Sequence, residues 1–524
     1  METLRSYLEG RWIDAHGTAE TLVNPATEET LCEAPQEGLD LDRAAAHARA
    51  VGGARLRAMT FAERAAMLKA LSQAIYARRD HLLDLAMLNG GNTRSDAKFD
   101  VDGASGTLMA YAELGASLGE SRFLVDGDAV SLGRSSRVAG QHLLVPREGV
   151  AYHLNAFNFP AWGIAEKAAV ALLAGVPVIA RPNPVTALVT YEVMKAFVDS
   201  GALPEGALGL VTGHHGDLVD RLGPQDVLAF TGSSHTAALL RARPNLAAHA
   251  VHTNFEADSL NAAVLGADVE RGSDLWQLFL SDVVRDMTQK TGQKCTAIRR
   301  VFVPETLVDA VEEDLIERLS TVKVGNPNAD GVTMGPVATL AQLKSVRAGI
   351  DALVAAGARC ALGGSAPVQG LGAPEGRGFF VAPTVLRVDD PGAVSLVHAR
   401  EVFGPVATLI GYDGSAGAAA AAVRLGQGGL VTTLYSDDKR FLTEATLGVA
   451  AWHGRVCVAS SKVVGAWMGP GVALPQLLHG GPGRAGGGEE LGGLRGLGLY
   501  LQRVAVQGFG PWVEQLSAGG KRAG

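Results

Sequence analysis

From about residue 150 the chain alternates between two hydrophobic patterns. Short apolar runs read as strands: VAYHLN (150–155), VPVIA (176–180), ALGLVTG (207–213), VLAFTG (227–232) and HAVHTN (249–254). Between them lie stretches whose apolar residues recur every three or four positions, the helical period. These are WGIAEKAAVALLAG (162–175), TALVTYEVMKAFVDSG (186–201), the short GDLVDRLG and SSHTAALLRAR. Apolar strands alternating with helices predict βαβ units and a doubly wound, mostly parallel sheet. Ligands of such sheets bind where the carboxyl ends of strands lead into helices, so FTGSS (230–234) is a candidate phosphate or cofactor loop. A strand–Gly–helix turn of this kind also occurs without any ligand.

The flanks have other patterns. FAERAAMLKALSQAIYARRDHLLDLAMLNGG predicts helix within 60–120 and stops at paired glycines. VSLGRSSRVAGQHLLVPREGV (130–150) reads as extended chain with glycine breaks, a hairpin. A second α/β block follows residue 295: strand and helix over 299–325, helix and strand over 349–364, then strand-like GFFVAPTVL (378–386) and VFGPVATLIGYD (402–413).

Composition narrows the class. A chain of 524 residues is too long for one ordinary core and predicts several lobes. Hydrophobic residues at 47% and charged residues at 19% are those of a globular protein, and a net charge of −8 argues against nucleic acid or an anionic membrane as the main partner. The longest apolar stretch, AAVALLAGVPVIA (168–180), is broken by Gly and Pro and is too short to span a bilayer. The start, METLRSYLEGRWIDAHG, has no basic head before an apolar run, so no signal peptide is expected. Four cysteines, none in a CxxC spacing, make neither a disulfide framework nor a structural zinc site and fit a reducing, cytoplasmic setting. Gly is common, and many glycines cluster in HGGPGRAGGGEELGGLRGLG (479–498), which reads either as a flexible linker or as a loop beside a ligand.

One of the cysteines, Cys295, stands in TGQKCTAIRR (291–300). Alone it is as well explained by a buried, inert thiol. FNFPAWG (157–163), FTGSS (230–234), GQKCTA (292–297) and EVFGPV (401–406) together change that reading. In order and spacing they resemble the NAD(P)-dependent aldehyde dehydrogenase superfamily, from about residue 8 to about 510. The resemblance implies a Rossmann-like cofactor domain (1–127 and 146–256), an α/β catalytic domain (257–470) and a small β oligomerisation extension (128–145 with 471–524). It also implies a homodimer or homotetramer.

The chemistry needs these residue types. A thiolate adds to the aldehyde, hydride leaves to a nicotinamide, and a thioester remains for water to cleave. The resemblance assigns Cys295 as nucleophile, Asn158 as oxyanion donor and Glu256 as the base for water, with Lys167 and Glu490 assisting proton movement. Asn158 by itself also suits a turn before Pro, and Lys167 a solvated helix face. Around Glu256 many relatives carry Glu-Leu-Gly-Gly, whereas this chain has Glu-Ala-Asp-Ser. No metal is implied.

For the cofactor, Gly232 and Ser233 match the pyrophosphate loop, and Glu401 and Phe403 match residues that hold the nicotinamide ribose and ring. Relatives usually have Lys-Pro-x-Glu after the strand that ends near 180, and its Glu binds the adenine ribose. Here the run is Arg181-Pro182-Asn183-Pro184. A guanidinium pairs with a 2′-phosphate that a carboxylate would repel, so NADP is expected in preference to NAD.

The tail resembles the branch that acts on ring-opened semialdehydes carried as CoA thioesters in aromatic catabolism. A small-molecule aldehyde, CoA-linked, is the expected substrate, and Arg484 reads either as a CoA-phosphate contact or as a solvated loop residue. Three alternatives stay open: a general aliphatic or aromatic aldehyde dehydrogenase, a CoA-acylating one, and a catalytically dead binding or structural member.

Overall fold

The computed structural model describes residues 2–134, 137–214 and 217–523. Two seven-stranded sheets organise it. The first takes its parallel core from Ala151–Leu154, Val178–Arg181, Leu208–Leu210, Val227–Thr231 and His252–Glu256, with the antiparallel pair Ser6–Leu8 and Arg11–Ile13 added at one edge. The second is built from Ala262–Leu265, Arg300–Pro304, Thr384–Val388, Val406–Tyr412, Gly429–Tyr435 and His453–Ala459, all parallel, with Arg359–Leu362 antiparallel at its edge. The central strands are buried at every position rather than at alternate ones, as a sheet covered on both faces requires. The fold is that of the α/β class expected from the alternating pattern.

The helical region ahead of the first sheet is three helices, Phe61–Ala77, Arg79–Gly90 and Arg94–Leu118. Thr60 and Glu63 form a capping box at the first, which fixes its start. Helix Pro160–Ala174 packs against Arg94–Leu118 and is buried along nearly its whole length. That is why its sequence lacks the polar stripe of a surface helix.

Some boundaries differ from the sequence pattern. In HAVHTN the strand runs over His252–Glu256, because Pro244–Ala248 is a short helix whose end takes up the preceding residues. GFFVAPTVL is strand only from Thr384, and VFGPVATLIGYD only from Val406. Residues 401–405 are therefore free to turn into the site rather than run along the sheet.

The hairpin predicted over 130–150 is Leu124–Ser131 with Val138–Pro146. It joins Leu501–Phe509 and Lys521–Arg522 in a separate four-stranded sheet. Its tip, residues 135–136, lies outside the described residues. Among the described residues no helix is long and apolar enough to cross a membrane.

Candidate active site

Cys295 lies beyond helix Asp274–Thr288, at a turn that few residues tolerate. Lys290, Thr291 and Gly292 have φ of 51°, 55° and 68° in succession. Left-handed backbone costs a non-glycine residue about 1–2 kcal/mol, so neighbours must hold it. Arg299 donates to the carbonyls of Gly292 (2.8 Å), Lys294 (3.2 Å) and Gly404 (2.8 Å). The Asn261 amide donates to the carbonyls of Cys295 (2.8 Å) and Ala297 (2.9 Å), and the buried Lys294 pairs with Asp286 at 2.7 Å. A side chain at Gly292 would also meet the backbone of Gly404. The thiol is thereby aimed into a cleft lined by Phe159, Trp162, Asn158, Glu256 and His479.

Sequence reasoning placed Glu256 and Cys295 together, and the structure does the same, but it adds a third group. His479 Nε2 lies 3.2 Å from Glu256 Oε1 and 3.7 Å from Cys295 Sγ. His479 belongs to the glycine-rich segment. That segment is neither a linker nor part of the four-stranded sheet: it forms an antiparallel hairpin, Leu478–Gly481 with Gly488–Leu491, against strands His252–Glu256 and His453–Ala459. The glycines permit this close approach, and a Cβ at Gly454 would collide with the carbonyl oxygen of Gly480. Gly454→Ala is therefore expected to destabilise the protein by about 1–3 kcal/mol, measured as a lowered Tm; an unchanged Tm would contradict the tight seating of the hairpin. The only local signal for His479 was a lone His before two glycines, and neither periodicity nor a four-motif match reaches it.

The charges in the cleft are interdependent. Burial opposes ionisation of Glu256, but His479, Lys167 and the Cys295 thiol outweigh it and hold the carboxyl below the usual range. Burial likewise opposes charge on His479, yet Glu256 raises its pKa. Burial and the neighbouring Glu256 push the Cys295 thiol well up. The surroundings of the sulfur thus favour the thiol over the thiolate.

Lys167 is buried rather than solvated. Its Nζ lies 3.1 Å from both Glu490 Oε2 and Glu166 Oε1, and Asn254 donates to Glu490 Oε1 at 3.0 Å. Burial disfavours the ammonium, but Glu490, Glu166 and Glu256 raise its pKa; burial raises that of Glu490, against Lys167. Asn158 donates one amide N–H to Gln293 O at 3.0 Å, which fixes the amide beside Cys295 and leaves its second N–H.

On the other side, Gly232 N–H donates to Glu256 O at 3.1 Å, so the FTGSS loop and the carboxylate share one framework. Ser233 caps helix Ser234–Arg241. Where relatives have glycines, Asp258 accepts from Ser234 N–H (2.8 Å) and Oγ–H, and Ser259 N–H donates to Glu401 (3.1 Å). The Asp258 side chain thus anchors the Ala-Asp-Ser segment to the start of helix Ser234–Arg241. Glu401 also pairs with Arg299 at 3.2 Å, whose guanidinium sits 5.3 Å from the Phe403 ring. Phe403 meets Phe157 edge-on at 5.9 Å.

Arg181 ends strand Val178–Arg181. Burial is the only influence on it, lowering its pKa to about 10, and no carboxylate opposes it. It remains a charged guanidinium without a counter-ion among the described residues, and with burial it depresses the pKa of His214. Arg484 donates to Gly426 O at 3.2 Å and does not line the cleft.

A family model described as "Aldehyde dehydrogenase family" matches residues 12–464. The 3,4-dehydroadipyl-CoA semialdehyde dehydrogenase of Aromatoleum evansii is 43% identical over 479 residues, covering 91% of this chain and 93% of that protein. Among solved structures, lactaldehyde dehydrogenase from Escherichia coli superimposes with a TM-score of 0.83 at 25% identity, covering 96% and 99% of the two chains. Betaine aldehyde dehydrogenase from Staphylococcus aureus, solved as a point mutant in complex with NAD+, gives 0.82 at 23% identity over 97% and 98%.

Proposed function

The chain belongs to the aldehyde dehydrogenase family, and from that premise we propose that it oxidises a CoA-linked semialdehyde, of the 3,4-dehydroadipyl-CoA semialdehyde kind, to the carboxylate with NADP. The observation that carries the chemistry is the meeting of Cys295, Glu256 and Asn158 in one cleft. The 43% identical relative supports the substrate.

In this reading Cys295 Sγ bonds to the aldehyde carbon. The oxyanion that develops is held by the free N–H of Asn158. The bound nicotinamide supplies the hydride acceptor. The thioester left on Cys295 is then cleaved by water, whose proton Glu256 takes as the C–S bond breaks and the sulfur leaves. Glu256 hands that proton towards the Lys167–Glu490 pair. These two charges lie in the same buried region and complete a route behind the carboxylate. Retention of Glu256 favours water over free CoA as the acyl acceptor. The apolar wall of Phe99, Phe159, Trp162 and Ala473 suits a carbon chain rather than a charged one at the reacting end.

The chain's residues fit a dinucleotide. Gly232 and Ser233 open a helix N-terminus, which favours anions. Glu401 and Phe403 would hold the nicotinamide ribose and ring. The uncompensated Arg181 would receive the 2′-phosphate. Arg181→Ala is expected to raise KM for NADP by roughly 10–100-fold, the loss of a charge-assisted contact, and to leave KM for NAD nearly unchanged. A wild-type kcat/KM higher with NAD would refute the preference.

The four-stranded sheet is the proposed subunit contact, giving a homodimer or homotetramer. Its edge strand Leu501–Phe509 is unpaired on one side, and Val138, Phe509 and Trp512 are exposed there. The deciding experiment compares the rate on the CoA-linked semialdehyde with the rate on a free short aldehyde. Equal or faster oxidation of the free aldehyde would leave the general aldehyde dehydrogenase reading in its place.

A further inference from the structure

We propose that His479 is a catalytic residue: it takes the proton of Cys295, so that Glu256 stays ionised and is reserved for water. The proposal rests on the reading of Cys295 as nucleophile and adds to it a group that reading does not contain.

Geometry carries it. Among the described residues His479 Nε2 is the nitrogen base within reach of the sulfur, at 3.7 Å, and the same atom is 3.2 Å from Glu256 Oε1. The imidazole stands on a rigid mount, a two-stranded hairpin pressed against the strands that carry Glu256 and Arg455. It is nearly fully buried and lines the cleft with the thiol.

The proton inventory agrees. Of the three groups Glu256 ionises most readily and Cys295 least, with His479 between them. With Glu256 ionised and His479 neutral, one proton is shared between Nε2 and Sγ. With that proton on Nε2 the sulfur is a thiolate beside an imidazolium. The S–H bond breaks, an N–H bond forms, and the electron pair stays on sulfur to attack the carbonyl. When the C–S bond later breaks, the proton returns to sulfur. No oxidant or co-reactant enters. The other charges facing this site are Glu166 and Lys167 from helix Pro160–Ala174, Arg455 from strand His453–Ala459, Glu490 from the hairpin itself, and Glu401. Glu166 favours and Arg455 disfavours the imidazolium.

The test follows the rate of Cys295 alkylation by iodoacetamide against pH, with neither aldehyde nor cofactor present. It therefore stands apart from the proposed oxidation, whose failure would appear as wild-type protein inactive on every aldehyde. In His479→Ala the inflection should move to higher pH and the rate at pH 7 should fall at least about 10-fold, with added imidazole recovering part of it. In Glu256→Gln the inflection should move to lower pH, because the negative neighbour is gone. His479→Gln keeps a donor to Glu256 but cannot accept the thiol proton, and it should behave as His479→Ala does. A wild-type Tm serves as the check that each variant is folded. A profile of His479→Gln equal to that of the wild type would reduce His479 to a positioning residue and overturn the proposal, as would an unmoved inflection in His479→Ala.

Discussion

Cys295→Ala is expected to abolish NADPH formation, with a loss of at least about 1000-fold in kcat, because no other atom in the cleft can form the thioester. Cys360 is exposed on an edge strand, Cys32 is buried in the core of the first sheet's lobe, and Cys457 lies in strand His453–Ala459 outside the cleft lining. None can substitute. The variant should fold, since Cys295 is only partly buried and its loop is held by Arg299 and Asn261 through backbone carbonyls that alanine retains. The measurement is NADPH absorbance with and without the aldehyde, alongside Tm. Unchanged NADPH production would defeat the covalent mechanism altogether, whatever the substrate.

Glu256→Gln should behave differently, and the difference is diagnostic. The amide retains the shape but cannot take a proton from water, so kcat should fall by about 100–10,000-fold. The first turnover needs no hydrolysis. Rapid mixing should therefore show a burst of close to one NADPH per active site, followed by the slow phase, with acyl groups accumulating on Cys295. Mass spectrometry of the quenched protein reads the adduct directly. Loss of the burst together with the steady state would place Glu256 in thiol activation instead, and would count against His479 as the acceptor of that proton. The carboxyl is held below the usual range, so its ionised form is not the group that limits activity at low pH; loss of activity on acidification should follow charging of the shared Cys295–His479 site.

Much of this site could be read along the chain, because its parts are local. The strand–Gly–helix turn at Gly232, the sequence around Cys295 and the sharp EVFGPV turn each carry their own signature within a few residues. Replacement of an acidic residue by Pro184 with Arg181 retained is also visible in one dimension, and the structure adds that the guanidinium has no counter-ion. Lys167 and Glu490 could be named but not evaluated. Only their 3.1 Å contact, inside a core, separates a buried ion pair from two surface charges. The strand limits at 252, 384 and 406 are not legible in the sequence, because apolar residues in tight turns and in strands look alike without their neighbours.

The sequence by itself determined the class of fold and the family, since both rest on periodicity and on short motifs whose residues are adjacent in the chain. The tertiary structure alone decided the protonation of the site. His479 stands 223 positions from Glu256 and 184 from Cys295. Its meaning comes from a glycine-rich hairpin folding back over the first sheet. Burial then makes every charge there depend on the others, and a protonation state set by a pair of charges a few ångströms apart in low dielectric has no counterpart in linear spacing.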